Sequence, residues 1–435
     1  MRLLTLLSLF TTAASVSMPL AAQKPAFVPN YDEAQANFIA IPDVLTATDG
    51  SKITTREAWL AQRKPELLQL FATQVYGKTP EAEVPIRVET VGADKPILNG
   101  KGVMRQTILH IGPQGEVQAQ ILLFLPASTK EKSTPVPTFV TLNFWGNHSV
   151  STDPDILLST SWFRDNKEKH TVNNRATEAS RGTGDDRFPI EAILDRGYAV
   201  ATAYYGDFDP DFDDNFQNGI HPLFYRDGQT KPDPDQWGSI GAWAWGLSRM
   251  ADYLITLPEI DQTKLAVLGH SRLGKAALWA GAQDERFTFV ISNNSGAGGA
   301  ALAKRIFGET VGRLNSAFPH WFCDNYNQYS LNEAALPMDQ HALIALMAPR
   351  PVYIASATGD QWADPKGEFL GGKLAEPVYA LFNLPGLGVE EQPAPDMPVG
   401  KTIGYHLRTG KHDITPYDWD RYMDFADQHW SASPK

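Results

Sequence analysis

The stretch KLAVLGHSRLGKAALWAGAQ, residues 264–283, leaves the fold little freedom. A short apolar run of strand type, KLAVLGH, meets a run of helical type, LGKAALWAGAQ, with only Ser271 and Arg272 between them. Elements so close are joined by a sharp turn, which holds whatever sits at the turn above the end of the strand. The same alternation recurs on both sides of it. TFVTLNFWGN, GYAVATAYYGD, FTFVISNNSG and PVYIASATGD read as short apolar strands, and WGSIGAWAWGLSRMADYLITLP has helical spacing. Strands alternating with helices predict a mostly parallel sheet covered on both faces.

Upstream, VPIRVETVG, VMRQTILHIG and AQILLFLPA are further extended segments, punctuated by Gly and Pro. Before them, REAWLAQRKPELLQLFATQVYG reads as an amphipathic helix, with Thr54 and Glu57 as a capping box and Gly77 as its stop. Its apolar stripe needs cover, so it is expected to pack on the main body. The polar segment from about Ser149 to Pro189 lies between strand candidates and is expected to build a cleft, with Trp162 and Phe163 as candidate aromatic contacts.

The first residues, MRLLTLLSLFTTAASVSMPLAAQ, combine Arg2, a short apolar run and small residues ending at Ala22. This is the pattern of a secretory signal peptide over residues 1–22, and it predicts an exported protein, periplasmic or extracellular. Residues 23–435 are then expected to form one catalytic domain with an N-terminal helical extension, acting as a monomer. The single cysteine, Cys323, allows no intrachain disulfide, so the core must carry stability. A net charge of −12 argues against nucleic acid and anionic membranes as partners, and no later segment is long and apolar enough to span a bilayer. No Cys/His spacing of a zinc site and no phosphate-binding loop occurs, so no metal or cofactor is expected.

A serine at a strand-to-helix turn is the nucleophile elbow of the α/β-hydrolase fold, a three-layer sandwich with inserted cleft-forming loops. Gly269 stands two residues before Ser271, but Leu273 occupies the place of the second glycine and Gly274 follows it. On the motif alone, Ser271 is either the nucleophile or a serine capping the helix. In this fold the acid and the histidine follow the serine along the chain. His320 and His341 precede the strand PVYIASATG, His429 lies in the last helix, and His406 fits a satisfied sheet residue. His412, in the polar loop GKHDITPYDW between a strand and the last helix, is the candidate base, with a surface or capping histidine as the alternative. Asp360, just past VYIASATG, is the candidate acid; a helix cap is its alternative role and Asp364 its competitor.

GHSRLGK, read with LNFWGNH, WGSIGAWAWGLSR, SNNSGAGGAAL, FPHWF, RPVYIASATGDQWADPKGEF and GKHDITPYDW, resembles the glucuronoyl esterases of carbohydrate esterase family 15, in particular their bacterial branch. The likeness runs from about Thr138 to Trp430. In that family the elbow is G-x-S-R-x-G-K, so the late glycine is the normal one. The resemblance implies Ser271 as nucleophile, His412 as base and Arg272 as a stabiliser of the oxyanion. It also implies that Lys275, Glu309 and Trp362 hold the glucuronate ring, although Glu309 could instead form a structural ion pair with Lys304, Arg305 or Arg313. Two departures stand out. Many relatives carry the triad acid as a glutamate where this chain has Asn294, which shifts the role to Asp360, and a sugar-binding glutamine of fungal relatives has no obvious counterpart, the nearest aligned residue being Ala301.

The resemblance implies hydrolysis of the ester between 4-O-methyl-D-glucuronic acid of glucuronoxylan and lignin alcohols, with these lignin-carbohydrate esters as partners. The two cations at the elbow predict inhibition by the glucuronate product. The alternatives are a broader carboxylesterase or acetyl-xylan esterase, and a catalytically idle carbohydrate-binding protein. The last requires Asp360 to lie out of reach of His412.

Overall fold

The computed structural model describes residues 27–430 apart from 37–38, 128 and 130–133, so the expected signal peptide lies outside the described residues. Its strands are β1 (Ile86–Ile97), β2 (Gly102–Ile111), β3 (Val117–Pro126), β4 (Val136–Asn143), β5 (Ala199–Tyr204), β6 (Ile260–His270), β7 (Phe287–Asn293), β8 (Val352–Ala357), β9 (Val399–Gly400) and β10 (Ile403–Arg408). They form one sheet in the order β1-β2-β3-β5-β4-β6-β7-β8-β10-β9.

The run from β5 through β4, β6, β7 and β8 to β10 is parallel throughout, as the alternation of strands and helices predicts. β1, β2 and β3 add an antiparallel meander that joins β5 antiparallel. Their connections, residues 98–101 and 112–116, are too short for a crossover and permit only antiparallel pairing.

Period-2 alternation along the buried strands separates two cores. In β6, Leu265 and Val267 face the core that holds Trp243, Leu278, Leu343 and Phe369, from helices Ser239–Leu254, Arg272–Gln283, Gln340–Ala345 and Pro365–Leu381. Ala266 and Leu268 face the other, built on Ile193, Trp419, Tyr422 and Met423 of helices Ile190–Asp195 and Pro416–Trp430. Burial of each such large side chain contributes roughly 1.5–3 kcal/mol, so helices on both faces follow from strands that are apolar on both.

The N-terminal helix packs on the first core through Trp59, Leu67, Phe71 and Val75. Its cap is Thr55, whose side chain accepts from the N–H of Ala58, one residue later than the expected Thr54. A π turn at Trp59–Arg63 rotates the stripe, which leaves Leu60 46% exposed. Gly77 does end the segment: its φ is +86°, and a methyl group there would lie 2.3 Å from the Gln236 backbone.

The segment after β4 is irregular, with short 3-10 turns. Phe163, one of its two candidate aromatic contacts, is fully buried and stacks on Tyr204 with ring centroids 4.3 Å apart, so it is a packing residue. Trp162 is half-buried against Phe212.

Candidate active site

Ser271 stands between β6 and the helix Arg272–Gln283 with φ 58° and ψ −130°, a backbone region that costs a non-glycine residue strain. Its side chain makes no capping hydrogen bond, so the structure gives it no helix-cap role. The turn is held by the Ser271 N–H, which donates to the Asn293 carbonyl at 2.8 Å. Two contacts explain the late glycine. A methyl group on Gly269 would lie 1.9 Å from the Leu273 carbonyl oxygen, and one on Gly274 would lie 2.9 Å from the Ser295 side chain. The crowded position is therefore Gly274, whereas the Leu273 side chain turns into the core.

Asp360 and His412 leave the sheet from neighbouring parallel strands, β8 and β10. The pairing continues past the strand ends, with Thr358 N–H donating to the Arg408 carbonyl at 2.9 Å and Gly359 N–H to that of Gly410 at 2.7 Å. The two loops therefore start side by side. His412 Nδ1 lies 2.6 Å from Asp360 Oδ2, a charge-assisted contact. The carboxylate is buried, while the imidazole is 40% exposed towards the cavity. The condition for an idle site, Asp360 out of reach of His412, is not met.

Asn294 follows β7 with φ 46° and donates from Nδ2 to the same Asp360 Oδ2 at 2.8 Å. The position that the resemblance gives to a glutamate thus supplies an amide that steadies the Asp360 carboxylate. Asp364 is engaged elsewhere, pairing with Arg305 at 2.8 Å and accepting from the Gly367 N–H at the start of helix Pro365–Leu381. His320, His341, His406 and His429 each bond other groups, His406 from its strand to Asp418 of the last helix as a satisfied buried residue.

Arg272 sits at the first position of the elbow helix, its guanidinium 4.7 Å above the Trp321 ring and bonded to Asp211. Asp211 also accepts from His320 at 2.9 Å, Trp321 Nε1 at 2.8 Å and the Tyr205 hydroxyl at 2.9 Å. Burial would raise the Asp211 carboxyl, but the His320 hydrogen bond and the Arg272 charge outweigh it and hold the group well below the usual carboxylate range. Lys275 is buried and donates to the carbonyls of Ser295 (2.7 Å) and Ala297 (2.6 Å) and to Glu309 Oε2 (2.8 Å). Glu309 Oε1 accepts from Trp362 Nε1 at 3.2 Å. Glu309 is thus in an ion pair, though with Lys275 and not with Lys304, Arg305 or Arg313.

Ser271, Arg272, Lys275, Glu309, Trp362, Asp360 and His412 all line one cavity of about 340 Å³, completed by Asn294, Arg313, Phe318 and Trp321. That volume lies in the range of small-ligand sites. Phe318 and Trp321 stack face to face, centroids 3.8 Å apart, giving the cavity a flat apolar wall suited to a pyranose ring.

Three supporting residues have no signature in the sequence. Asp211 lies among several aspartates in DFDPDFDDNF, where only the fold distinguishes it. Arg408 donates to the carbonyls of Thr409, Lys411 and Asp413 and pairs with Asp418, so it braces the His412 loop on both sides of the histidine. His270, next to the serine, places its ring 4.6 Å from that of His412 and bonds the Asn293 side chain. Burial and the nearby His412 and Arg187 hold His270 well below the usual imidazole range, so it is neutral.

A mostly parallel sheet with helices on both faces and a strained serine at the β6 elbow is the architecture of an α/β-hydrolase. Comparison with known proteins narrows the class. Residues 224–383 match the family described as "Glucuronyl esterase, fungi". The chain is 49% identical over 405 residues to carbohydrate esterase MZ0003 from an unknown prokaryotic organism, covering 93% of this chain and 92% of that protein. Among solved structures, a promiscuous CE15 esterase from the marine bacterial metagenome superposes with a TM-score of 0.86 at 48% identity, covering 92% of this chain and all (100%) of that one. The glucuronoyl esterase from Solibacter usitatus gives 0.86 at 43%, with 91% and 100% covered. The chain belongs to carbohydrate esterase family 15, the glucuronoyl esterases.

Proposed function

We propose that this chain is a serine esterase that cleaves the ester between 4-O-methyl-D-glucuronic acid of glucuronoxylan and a lignin alcohol. The observation that carries the assignment of roles is the 2.6 Å contact of His412 Nδ1 with Asp360, in the cavity that Ser271 lines. Ser271 Oγ attacks the glucuronoyl carbonyl carbon while His412 Nε2 takes its proton, and Asp360 stabilises the imidazolium so formed. The oxyanion meets Arg272 and the N–H groups that open the elbow helix, which have no acceptor within the helix. His412 then returns the proton to the departing alcohol oxygen. Water, deprotonated by His412, attacks the acyl-enzyme and releases glucuronate and Ser271.

Lys275, Glu309 and Trp362 hold the sugar hydroxyls in this reading. All three protons of the Lys275 ammonium are already directed at protein acceptors, so Glu309 and the Trp362 face are the groups most available to the ring. Residues 1–22 serve export, and residues 23–435 act as a monomeric catalytic domain in the periplasm or outside the cell. Among the described residues no helix is long and apolar enough to cross a membrane.

The test compares kcat/KM for benzyl glucuronate and p-nitrophenyl acetate. A preference for the glucuronate ester of at least about a hundred-fold is expected, since a site built on polar contacts rejects acyl groups that lack them. Equal values would favour a broader esterase, in line with the promiscuous marine relative.

A further inference from the structure

Residues 27–36 cross the loops that form the sugar side of the cavity. Gly308 N–H donates to the Asn30 carbonyl at 2.8 Å, and Asn30 Nδ2 donates to that of Ile306 at 3.2 Å. Arg305, its side chain wholly buried, reaches Glu33 through Nη2 at 2.9 Å while holding Asp364 through Nε at 2.8 Å. This segment is therefore anchored by backbone and by charge to the loop 305–309 that carries Glu309. At its start, Phe27 stands edge-on to Trp362, centroids 6.0 Å apart, and the Arg313 guanidinium lies 5.7 Å from the Phe27 ring. Trp362 and Arg313 both line the cavity, so Phe27 prolongs its wall outwards.

Phe27 is 37% exposed, and its neighbours Val28 and Tyr31 are exposed by 82% and 50%. Exposed apolar residues scattered singly need no explanation, but Phe27 stands against the cavity-lining Trp362 and Arg313, where a ligand leaving the cavity would cover it. With its carboxyl carbon at Ser271, a glucuronate fills the cavity. Whatever is joined to its anomeric oxygen must leave through the mouth, past Trp362 and Phe27. A neutral pyranose presents a face of C–H groups that an aromatic ring covers well.

We propose that Phe27 is the platform of a second sugar subsite, which binds the neutral pyranose joined to the anomeric carbon of the glucuronate. The segment 27–36 is then a specificity element, held in place by the Glu33–Arg305 pair. The proposal rests on the glucuronoyl esterase reading above and extends it from a single sugar to the polysaccharide that carries it.

The test uses two benzyl esters, one of glucuronate alone and one of glucuronate linked to xylotriose. Wild type is expected to have the lower KM for the longer ester, by about five- to tenfold, the size of a good aromatic contact. Phe27→Ala removes that advantage through KM, with kcat unchanged, and Phe27→Trp keeps it. Equal KM values for the two esters in wild type, or a Phe27→Ala loss of the same size on both, overturns the subsite, the latter because Phe27 would then act only through Trp362. If wild type cleaves neither ester, the esterase reading fails on its own. Calorimetry on the Ser271→Ala protein then decides the subsite: tighter binding of xylotriose-linked glucuronate than of glucuronate, lost in Phe27→Ala, supports it, and equal binding overturns it.

Discussion

The two sides of the elbow are held in opposite ways. On the acyl side the cations are locked: Asp211 takes Arg272 together with His320, Trp321 and Tyr205, and Lys275 spends its protons on two carbonyls and Glu309. On the base side His412 is 40% exposed, bonds Asp360 through one ring nitrogen, and owes its position to a loop braced by Arg408. Charge that must stabilise a transition state works best when it needs no rearrangement, whereas a group that takes and returns a proton needs freedom to do so. Under the proposed roles, the difference puts preorganisation where charge would develop and looseness where the proton would move.

Breaking the locked side should cost more than loosening the loop that carries His412. Arg272→Ala is expected to lower kcat on benzyl glucuronate by about a hundred- to a thousand-fold, the usual loss for one oxyanion donor. Arg272→Lys should recover little of it, because an ammonium cannot fork between Asp211 and the oxyanion.

Asp211→Asn should cost about tenfold or more in kcat and about 2–3 kcal/mol in stability, read from urea unfolding, because it leaves the Arg272 charge among apolar rings without its counterion. It also sharpens the expectation of product inhibition. In the wild type Asp211 and Glu309 already neutralise the two elbow cations, so glucuronate should inhibit weakly, and Asp211→Asn should make that inhibition stronger. Unchanged inhibition in the variant would show that Arg272 does not face the product carboxylate.

Removing the brace of the base-side loop, with the Asp360 contact kept, should cost less. Arg408→Gln is expected to lower kcat several-fold to about tenfold with little change in KM, since the substrate groups stay in place while His412 loses its brace.

The smallest effect on turnover concerns Glu368, which lies beneath the site and accepts from the N–H groups of Ser295 and Gly296 and the Ser356 hydroxyl. Burial, set against the Ser356 hydrogen bond, pushes its carboxyl up from 4.5 to about 8. The folded chain therefore keeps a proton that the unfolded chain releases, and this contribution to stability falls as pH rises from about 4.5 to about 8. Glu368→Gln should flatten that part of the pH profile of the thermal midpoint, and an unaltered slope would mean Glu368 is ionised in the fold.

Much of this was legible in the sequence because it depends on local order. The parallel strands follow from apolar runs between helical ones, and Ser271, His412 and Asp360 follow from their places at strand ends. The antiparallel β1–β3 meander needed attention to loop length, and the capping residue shifted from Thr54 to Thr55 because adjacent threonines offer equivalent caps. Asp211 and Arg408 were invisible for a different reason: each acts through partners more than a strand away or through backbone carbonyls, and neither leaves a spacing in the sequence. The Lys275–Glu309 pair joins residues 34 apart, beyond the reach of helix-periodicity arguments.

In the proposed reading Asp360, steadied by Asn294, is the acid that serves His412. The steady-state kcat of Asp360→Asn on benzyl glucuronate at neutral pH tests it most directly, since the variant keeps the shape and removes the charge. A fall of roughly a thousand-fold or more, with a folded protein, is the predicted result. A variant within about tenfold of wild type would show that the histidine works without this carboxylate and would contradict the account.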